Sequence, residues 1–310
     1  MTAMPLDRSG ASLHALLAEL TPSAAKIDAY ADDTYVQEAV EQLERLGIDP
    51  VGFARQHSLL LLKPDAIVAR AVEPTLQWLP ANGFRVVAAH RMRVNRHLVR
   101  ALWYFAWNIA SPERRRLADL LIGISEVLVL VVHGADDELP VPIRLTEAKG
   151  ATDPRQRKPG ELRYVLGRHN FLLNLVHTPD DPADVLRELA VYFDEDTRAD
   201  LLGQAAARMD RTAAVSALAA DLYARVPVRS FDRDDALRSV LDALRRAGID
   251  AGRAEDADGA RLLYAAWSAG AQLDPWSVLV LGSYVLPMRV GSQSQTLPPV
   301  AAREWLEGRS

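Results

Sequence analysis

The sequence predicts an α+β fold with an all-α C-terminal region. Four apolar runs at 58–62, 84–94, 127–132 and 171–176 have strand character and alternate with helical stretches. Their order, β-α-β-α-α-β-loop-β-α, suits a ferredoxin-like α/β sandwich, a four-stranded antiparallel sheet with flanking helices. Beyond residue 194 alanine dominates and β-branched alternation is scarce, so the texture becomes helical.

Residues 11–56 read as short helices. Val36, Ala39, Val40, Leu43 and Leu46 recur at helical spacing, and Gly47 suits a C-cap. The leucine run at 58–62 reads as a strand buried on both faces. A helix is expected over 67–79, kinked or delayed by Pro74. The strand at 84–94 has a basic end, and helices follow at 98–109 and 112–122. Pro140 and Pro142 mark 136–142 as a loop, and 150–163 reads as a Gly/Pro/Thr loop rich in cations. The run 171–176 is the expected fourth strand, and a helix over 182–193 starts at a cap supplied by Asp180 or Asp181. Helices are expected at 198–225, 233–247, 258–270 and 276–286. Three units follow: a helical extension over 1–56, an α+β unit over 57–197 and a helical unit over 198–310.

Hydrophobic residues make up 49% of the 310, enough for packed cores. A net charge of −5 gives no global attraction to nucleic acid, and the basic clusters at 85–100 and 155–168 lack interleaved aromatics. With no cysteine, disulfides and thiol catalysis are excluded. The stretch Met1-Thr-Ala-Met-Pro-Leu-Asp-Arg has no charged start followed by an apolar run, so no leader is expected. The longest apolar runs, 127–132 and 276–286, are too short to span a bilayer. A cytoplasmic protein is the expectation. Lysine occurs only at 26, 63, 149 and 158, and three of these, Lys63, Lys149 and Lys158, fall in or near candidate phosphate-binding segments. Because ammonium and guanidinium differ in shape and hydration, lysine retained among so many arginines marks Lys63 as needed.

The motifs that carry chemistry come in a fixed order. Leu62-Lys63-Pro64-Asp65 closes the first strand, and Gly83-Phe84 opens the second. Gly150-Ala-Thr152-Asp153-Pro154 is followed by Lys158-Pro159-Gly160-Glu-Leu-Arg163. Then come Asn174-Leu-Val-His177-Thr178-Pro179-Asp180 and Glu188 on the next helix. A lysine after a strand, a Thr/Arg loop and an Asn-x-x-His together make a phosphate site with a nucleophile in it. There is no Walker loop, no GxGxxG after a strand and no metal-ligand spacing among His57, His90, His97, His133 and His169.

This ordered set resembles the nucleoside diphosphate kinase family over about residues 57–195. The resemblance implies that His177 accepts the γ-phosphoryl group of ATP or another nucleoside triphosphate and becomes phosphohistidine, with Glu188 orienting its ring. It implies that Lys63, Thr152 and Arg163 hold phosphate oxygens, that Asn174 holds a sugar hydroxyl or a phosphate oxygen, and that Asp180 retains Mg²⁺ through water. It also implies nucleotides as partners and a homo-oligomer. The chain departs from the family pattern in four places, the first being Asp153 where the family has Asn. Thr178 and Pro179 replace Gly-Ser. A further arginine is expected shortly before Thr152, where this chain has Thr146; Arg144 is the favoured substitute and Lys149 the other candidate. The base-stacking phenylalanine position falls on Arg114 or Arg115, with Tyr104 matching the neighbouring tyrosine. The aromatic cluster at 103–107 reads as core.

Three functions remain open on these residues. The first is γ-phosphoryl transfer through His177 to an acceptor such as a nucleoside diphosphate. The second is phosphoryl or nucleotidyl transfer to a small metabolite. The third is a nucleotide-binding regulatory module without turnover.

Overall fold

The computed structural model describes residues 10–135, 137–167, 170–249 and 258–308. The N-terminal stretch Met1–Arg8, Asp136 of the expected loop, and His169 lie outside the described residues.

Four strands form one antiparallel sheet in the order β2-β3-β1-β4: β1 His57–Leu62, β2 Arg85–Met92, β3 Val127–His133 and β4 Val176–His177. The order places the first and third strands at the centre, as the ferredoxin-like reading requires. Side-chain alternation divides the sheet into two buried faces. Leu60, Leu62, Leu128, Leu130 and Val132 pack on one side with the helices Pro64–Val68, Val72–Ala81 and Thr212–Arg225. Leu59, Leu61, Val127, Val129 and Val131 pack on the other with N-terminal helices and with Pro182–Tyr192 and Glu195–Ala206. Both faces of the central strands are covered, which explains the unbroken leucine and valine runs.

The C-terminal helices Arg233–Arg246, Gly259–Ser268 and Pro275–Val285 extend the first of these cores. Position 197, expected to end the middle unit, falls inside the continuous helix Glu195–Ala206. No helix among the described residues is long and apolar enough to cross a membrane.

Several expected elements take another form: the helix expected at 98–109 is an α-helix Arg96–Leu102 followed by a 3-10 helix Tyr104–Ile109, and that expected at 198–225 is two helices, Glu195–Ala206 and Thr212–Arg225. The helix foreseen over 67–79 is two helices, broken where Arg70 adopts φ 57°. That left-handed residue is held by its own guanidinium, which donates to Ile67 O and Val226 O and lies over the Tyr223 ring. Pro74 is not the break: it sits in the first turn, where a missing N–H costs nothing. Pro142 likewise opens the helix Val141–Lys149 rather than interrupting it. The fourth strand is only two residues long: Leu175 O still accepts from Lys63 N (2.9 Å) at the end of β1, but three N–H groups of 171–175 bond to side chains. Asn170 Oδ1 accepts from Leu172 N and Leu173 N (2.9 Å each), and Asp65 Oδ2 accepts from Leu175 N (2.9 Å). Leu175 takes φ 70° within this arrangement.

Candidate active site

A cavity of about 610 Å³ opens at the β1–β4 edge of the sheet. Its walls include the segment 102–122, parts of 152–174, one face of the helix Pro182–Tyr192 and an extended C-terminal segment around 289–299.

His177 ends β4, opposite Leu61 of β1. Its Nε2 lies 2.9 Å from Glu188 Oε1, and its ring meets Trp103 edge-on at 5.3 Å. A neutral imidazole donating Nε2–H to the carboxylate keeps a lone pair on Nδ1. Glu188 projects from the helix capped by Asp181, whose Oδ1 accepts from Asp184 N (3.0 Å). Burial raises the Glu188 carboxyl above its usual range, and the His177 contact opposes that rise. Glu188 Oε2 is buried without a partner among the described residues.

The cations converge from separate elements. Lys63 follows β1; its Nζ donates to Leu172 O (2.9 Å) and lies 3.4 Å from Asp65 Oδ2. Burial lowers its pKa, and Asp65 counteracts this. Arg163 donates from Nη1 to Gly150 O (2.9 Å) and Thr152 Oγ1 (3.2 Å), and from Nη2 to Val176 O (2.7 Å). Burial pushes it down to about 10, and its Nε is buried without a partner among the described residues. Gly150 has φ 87° and no room for a Cβ, which would meet Glu161 Oε2 at 2.2 Å. The loop can therefore turn tightly enough to bring Thr152 beside Arg163. Asn174 lines the cavity with its Nδ2 donating to Phe171 O (3.0 Å).

Asp180 also lines the cavity, and its carboxylate makes no hydrogen bond or ion pair among the described residues. No group of three or more His, Asp or Glu side chains suited to a metal occurs among those residues. This donor set fits Mg²⁺ in its common form, held by substrate phosphates, water and one carboxylate rather than by a protein cage.

Several expected positions lie elsewhere. Arg144 does not line the cavity: its Nη2 donates to Ala135 O (2.8 Å) and its guanidinium lies over Phe84. Lys149, the alternative, lines it, with Nζ 2.6 Å from Thr178 Oγ1. Arg144 is early in its helix and Lys149 ends it, so they face different directions. Burial, followed by the Arg163 charge, lowers Lys149 to about 8. Tyr104 is 67% exposed and off the cavity. Trp103, Phe105 and Trp107 line it instead, so the cluster expected as core forms a wall. Arg114 faces the cavity, whereas Arg115, one residue on, is exposed on the outer helix face. Lys158 is exposed as well.

Among the lining residues not foreseen, two cations come from outside the segment that carries the motifs. Lys26 arrives from the helix Ala24–Ala31 and donates from Nζ to Asp181 Oδ2 (2.8 Å) and Asp184 Oδ2 (2.9 Å). Arg289 arrives from the C-terminal segment. The scarcity of lysine was a signal for Lys26; among so many arginines nothing singled out Arg289.

Residues 56–198 match the family model for nucleoside diphosphate kinase. The chain is 28% identical over 145 residues to the nucleoside diphosphate kinase of Heliobacterium modesticaldum, covering 46% of this chain and 89% of that one. It is 30% identical over 147 residues to that of Rhodopirellula baltica, covering 47% and 90%. Among solved structures, the nucleoside diphosphate kinase of Aquifex aeolicus is 23% identical with a TM-score of 0.39, covering 45% of this chain and 95% of that chain. With its motifs in order and the matched segment forming the expected sheet, this chain belongs to the nucleoside diphosphate kinase family, as a divergent member with additional helices on both sides.

Proposed function

We propose that this protein transfers the γ-phosphoryl group of a nucleoside triphosphate to an acceptor diphosphate, such as a nucleoside diphosphate, through a phosphohistidine at His177. Family membership supports nucleoside-triphosphate-dependent phosphoryl transfer in general. The observation that carries the finer reading is the His177–Glu188 pair at 2.9 Å, set in a cavity with buried Lys63, Lys149 and Arg163.

In the first half-reaction His177 Nδ1 attacks the γ-phosphorus. An N–P bond forms, the bond from phosphorus to the bridging oxygen breaks, and the nucleoside diphosphate leaves with the electron pair. In the second, a terminal oxygen of the acceptor diphosphate attacks the same phosphorus and the electron pair returns to Nδ1. Glu188 holds Nε2–H throughout and stabilises the positive charge that develops on the ring. Phosphoryl transfer depends chiefly on alignment and charge stabilisation, which Lys63, Lys149, Arg163 and the Thr152 hydroxyl supply here. A Mg²⁺ ion arriving with the phosphates would neutralise part of their charge, with Asp180 as its protein-side carboxylate. The half-buried ring, walled by Trp103, limits access of water to the phosphohistidine.

The test is incubation of the full chain with γ-³²P-ATP and Mg²⁺. The expected product is an acid-labile, alkali-stable phosphoprotein that is lost in His177→Ala and chased by added nucleoside diphosphate. Unlabelled protein that still binds ATP would overturn the reading in favour of a binding module.

A further inference from the structure

Two arginines that line the cavity act on each other, and among the described residues neither is paired with a carboxylate. Arg114 lines it from the helix Pro112–Leu121, and Arg289 from the extended segment after Pro275–Val285. Arg289 lies well outside the stretch that matches the family model. The segment that carries it is fastened to the opposite wall. Arg289 forms an antiparallel bridge with Ala110, Val290 N donates to Ile109 O (3.0 Å), and Thr296 N donates to Phe105 O (2.9 Å). Ser111 ties the two arginines together. Its buried Oγ accepts from Arg114 N (2.9 Å) and donates to Pro287 O, two residues before Arg289.

The charges are unbalanced. Arg187, on another wall, and Arg100, stacked on the lining residue Trp107, are each paired with an aspartate. The Arg114 guanidinium has neither ion pair nor hydrogen bond among the described residues; its contact is the Phe171 ring at 5.5 Å. Among the described residues the Arg289 guanidinium donates only to Gln293 O (2.8 Å). Burial lowers the Arg114 pKa, and the Arg289 charge lowers it further, so the pair repels. A nearby anion would relieve that repulsion and accept both planar forks. The space over Phe171 is also taken. An aromatic base between the ring and the guanidinium would need about 7 Å, two face contacts of about 3.5 Å each.

We propose that Arg114 and Arg289 form an anion subsite that takes a carboxylate or phosphate on the acceptor, distinct from the diphosphate that reacts at His177. The acceptor is then recognised by a second negative group rather than by a stacked base. This inference deepens the phosphotransferase reading and rests on it for the word acceptor; the subsite itself does not depend on turnover.

The test uses the full chain with ATP and Mg²⁺ and three acceptors of matched length: pentyl diphosphate, 4-carboxybutyl diphosphate and 4-phosphonobutyl diphosphate. At least one anionic acceptor is expected to exceed pentyl diphosphate in kcat/KM by about tenfold or more, as one or two charge-assisted hydrogen bonds imply. Which of the two leads identifies the group as carboxylate or phosphate. In Arg114→Gln and Arg289→Gln the ratio is expected to fall within about threefold of unity, and Arg289→Lys should restore part of it. Equal use of all three by the parent overturns the subsite. A loss in the variants that is the same for neutral and anionic acceptors also overturns it, because that pattern is a packing effect. If ATP leaves no phosphoryl group on His177, the phosphotransferase reading fails. Calorimetric titration of the same three diphosphates then decides the subsite: an anionic preference lost in both glutamine variants sustains it, and equal affinities refute it.

Discussion

Thr146 and Thr178 share a hydrogen bond, their hydroxyl oxygens 2.8 Å apart. Both stand where the chain departs from the family pattern, and the two departures answer each other. Thr146 Oγ1 also donates to Pro179 O (2.8 Å), so the shared proton comes from Thr178. Thr178 in turn accepts from Lys149 Nζ (2.6 Å). The proton donors run in one direction: Lys149 to Thr178, Thr178 to Thr146, Thr146 to the Pro179 carbonyl. The chain of bonds anchors Lys149 in the cavity, and we propose that it supplies the cation expected from an arginine at position 146.

Nucleotide affinity should fall as pH rises through about 8. Burial and the Arg163 charge lower Lys149 to about 8, so the free protein is cationic there below that pH and neutral above it. A bound phosphate favours the ammonium, so binding above pH 8 takes up a proton, and affinity drops by up to about tenfold per pH unit. Calorimetry in two buffers of different ionisation enthalpy measures this uptake. It should vanish in Lys149→Met; unchanged uptake in that variant would assign the titration to another group.

His177→Ala should abolish phosphoryl transfer and leave nucleotide binding nearly intact, because the phosphate contacts come from other residues. Glu188→Gln should lower kcat on the order of tenfold to a hundredfold, the usual cost of losing a carboxylate that orients a reactive histidine. Lys63→Ala should instead weaken binding, by about 1.5–3 kcal/mol for one charge-assisted hydrogen bond. Single-turnover labelling and equilibrium binding separate these effects. A Glu188→Gln variant with parental kcat would remove the orienting role.

Lys26→Met should destabilise the protein by about 3–5 kcal/mol, since it leaves Asp181 and Asp184 buried without their cation. Burial alone pushes Lys26 down, but the two carboxylates raise it above its usual value. Burial raises Asp181 to about 6 even with Lys26 beside it. Denaturant unfolding of the variant measures the loss. A cost below about 1 kcal/mol would show the cluster to be as weak as an exposed pair.

Stability should also fall as pH drops from about 6.5 to about 4. His57 is buried at the end of β1, stacked on Phe53, with Nδ1 2.9 Å from Phe53 O and Nε2 unpartnered among the described residues. Burial, aided by His133 and Arg208, pushes it down to about 4. The unfolded chain protonates first, near 6.5. The stability present above that pH is therefore lost progressively until about pH 4, by about 3 kcal/mol in all. His57→Phe should flatten this part of the unfolding profile, and an unchanged profile would place the acid sensitivity elsewhere.

The sequence by itself determined the sheet and the order of its chemistry. Runs such as Leu59–Leu62 leave few alternatives to a strand covered on both faces, and the spacing from Lys63 to Glu188 places phosphate contacts and a nucleophilic histidine in one chain order. Tertiary structure decided what side chains far apart in sequence do to one another. The backbone of 171–175 is apolar enough for a strand, yet Asp65 and Asn170 take its N–H groups and leave a bent loop. The sequence favoured Arg144 over Lys149, and only the direction of their helix puts Lys149, not Arg144, in the cavity. Lys26 and Arg289 reach the site from opposite ends of the chain. Local pattern reports periodicity and neighbouring hydrogen-bond partners. It does not report which buried charges must find each other across more than a hundred residues, and that pairing is what closes this cavity.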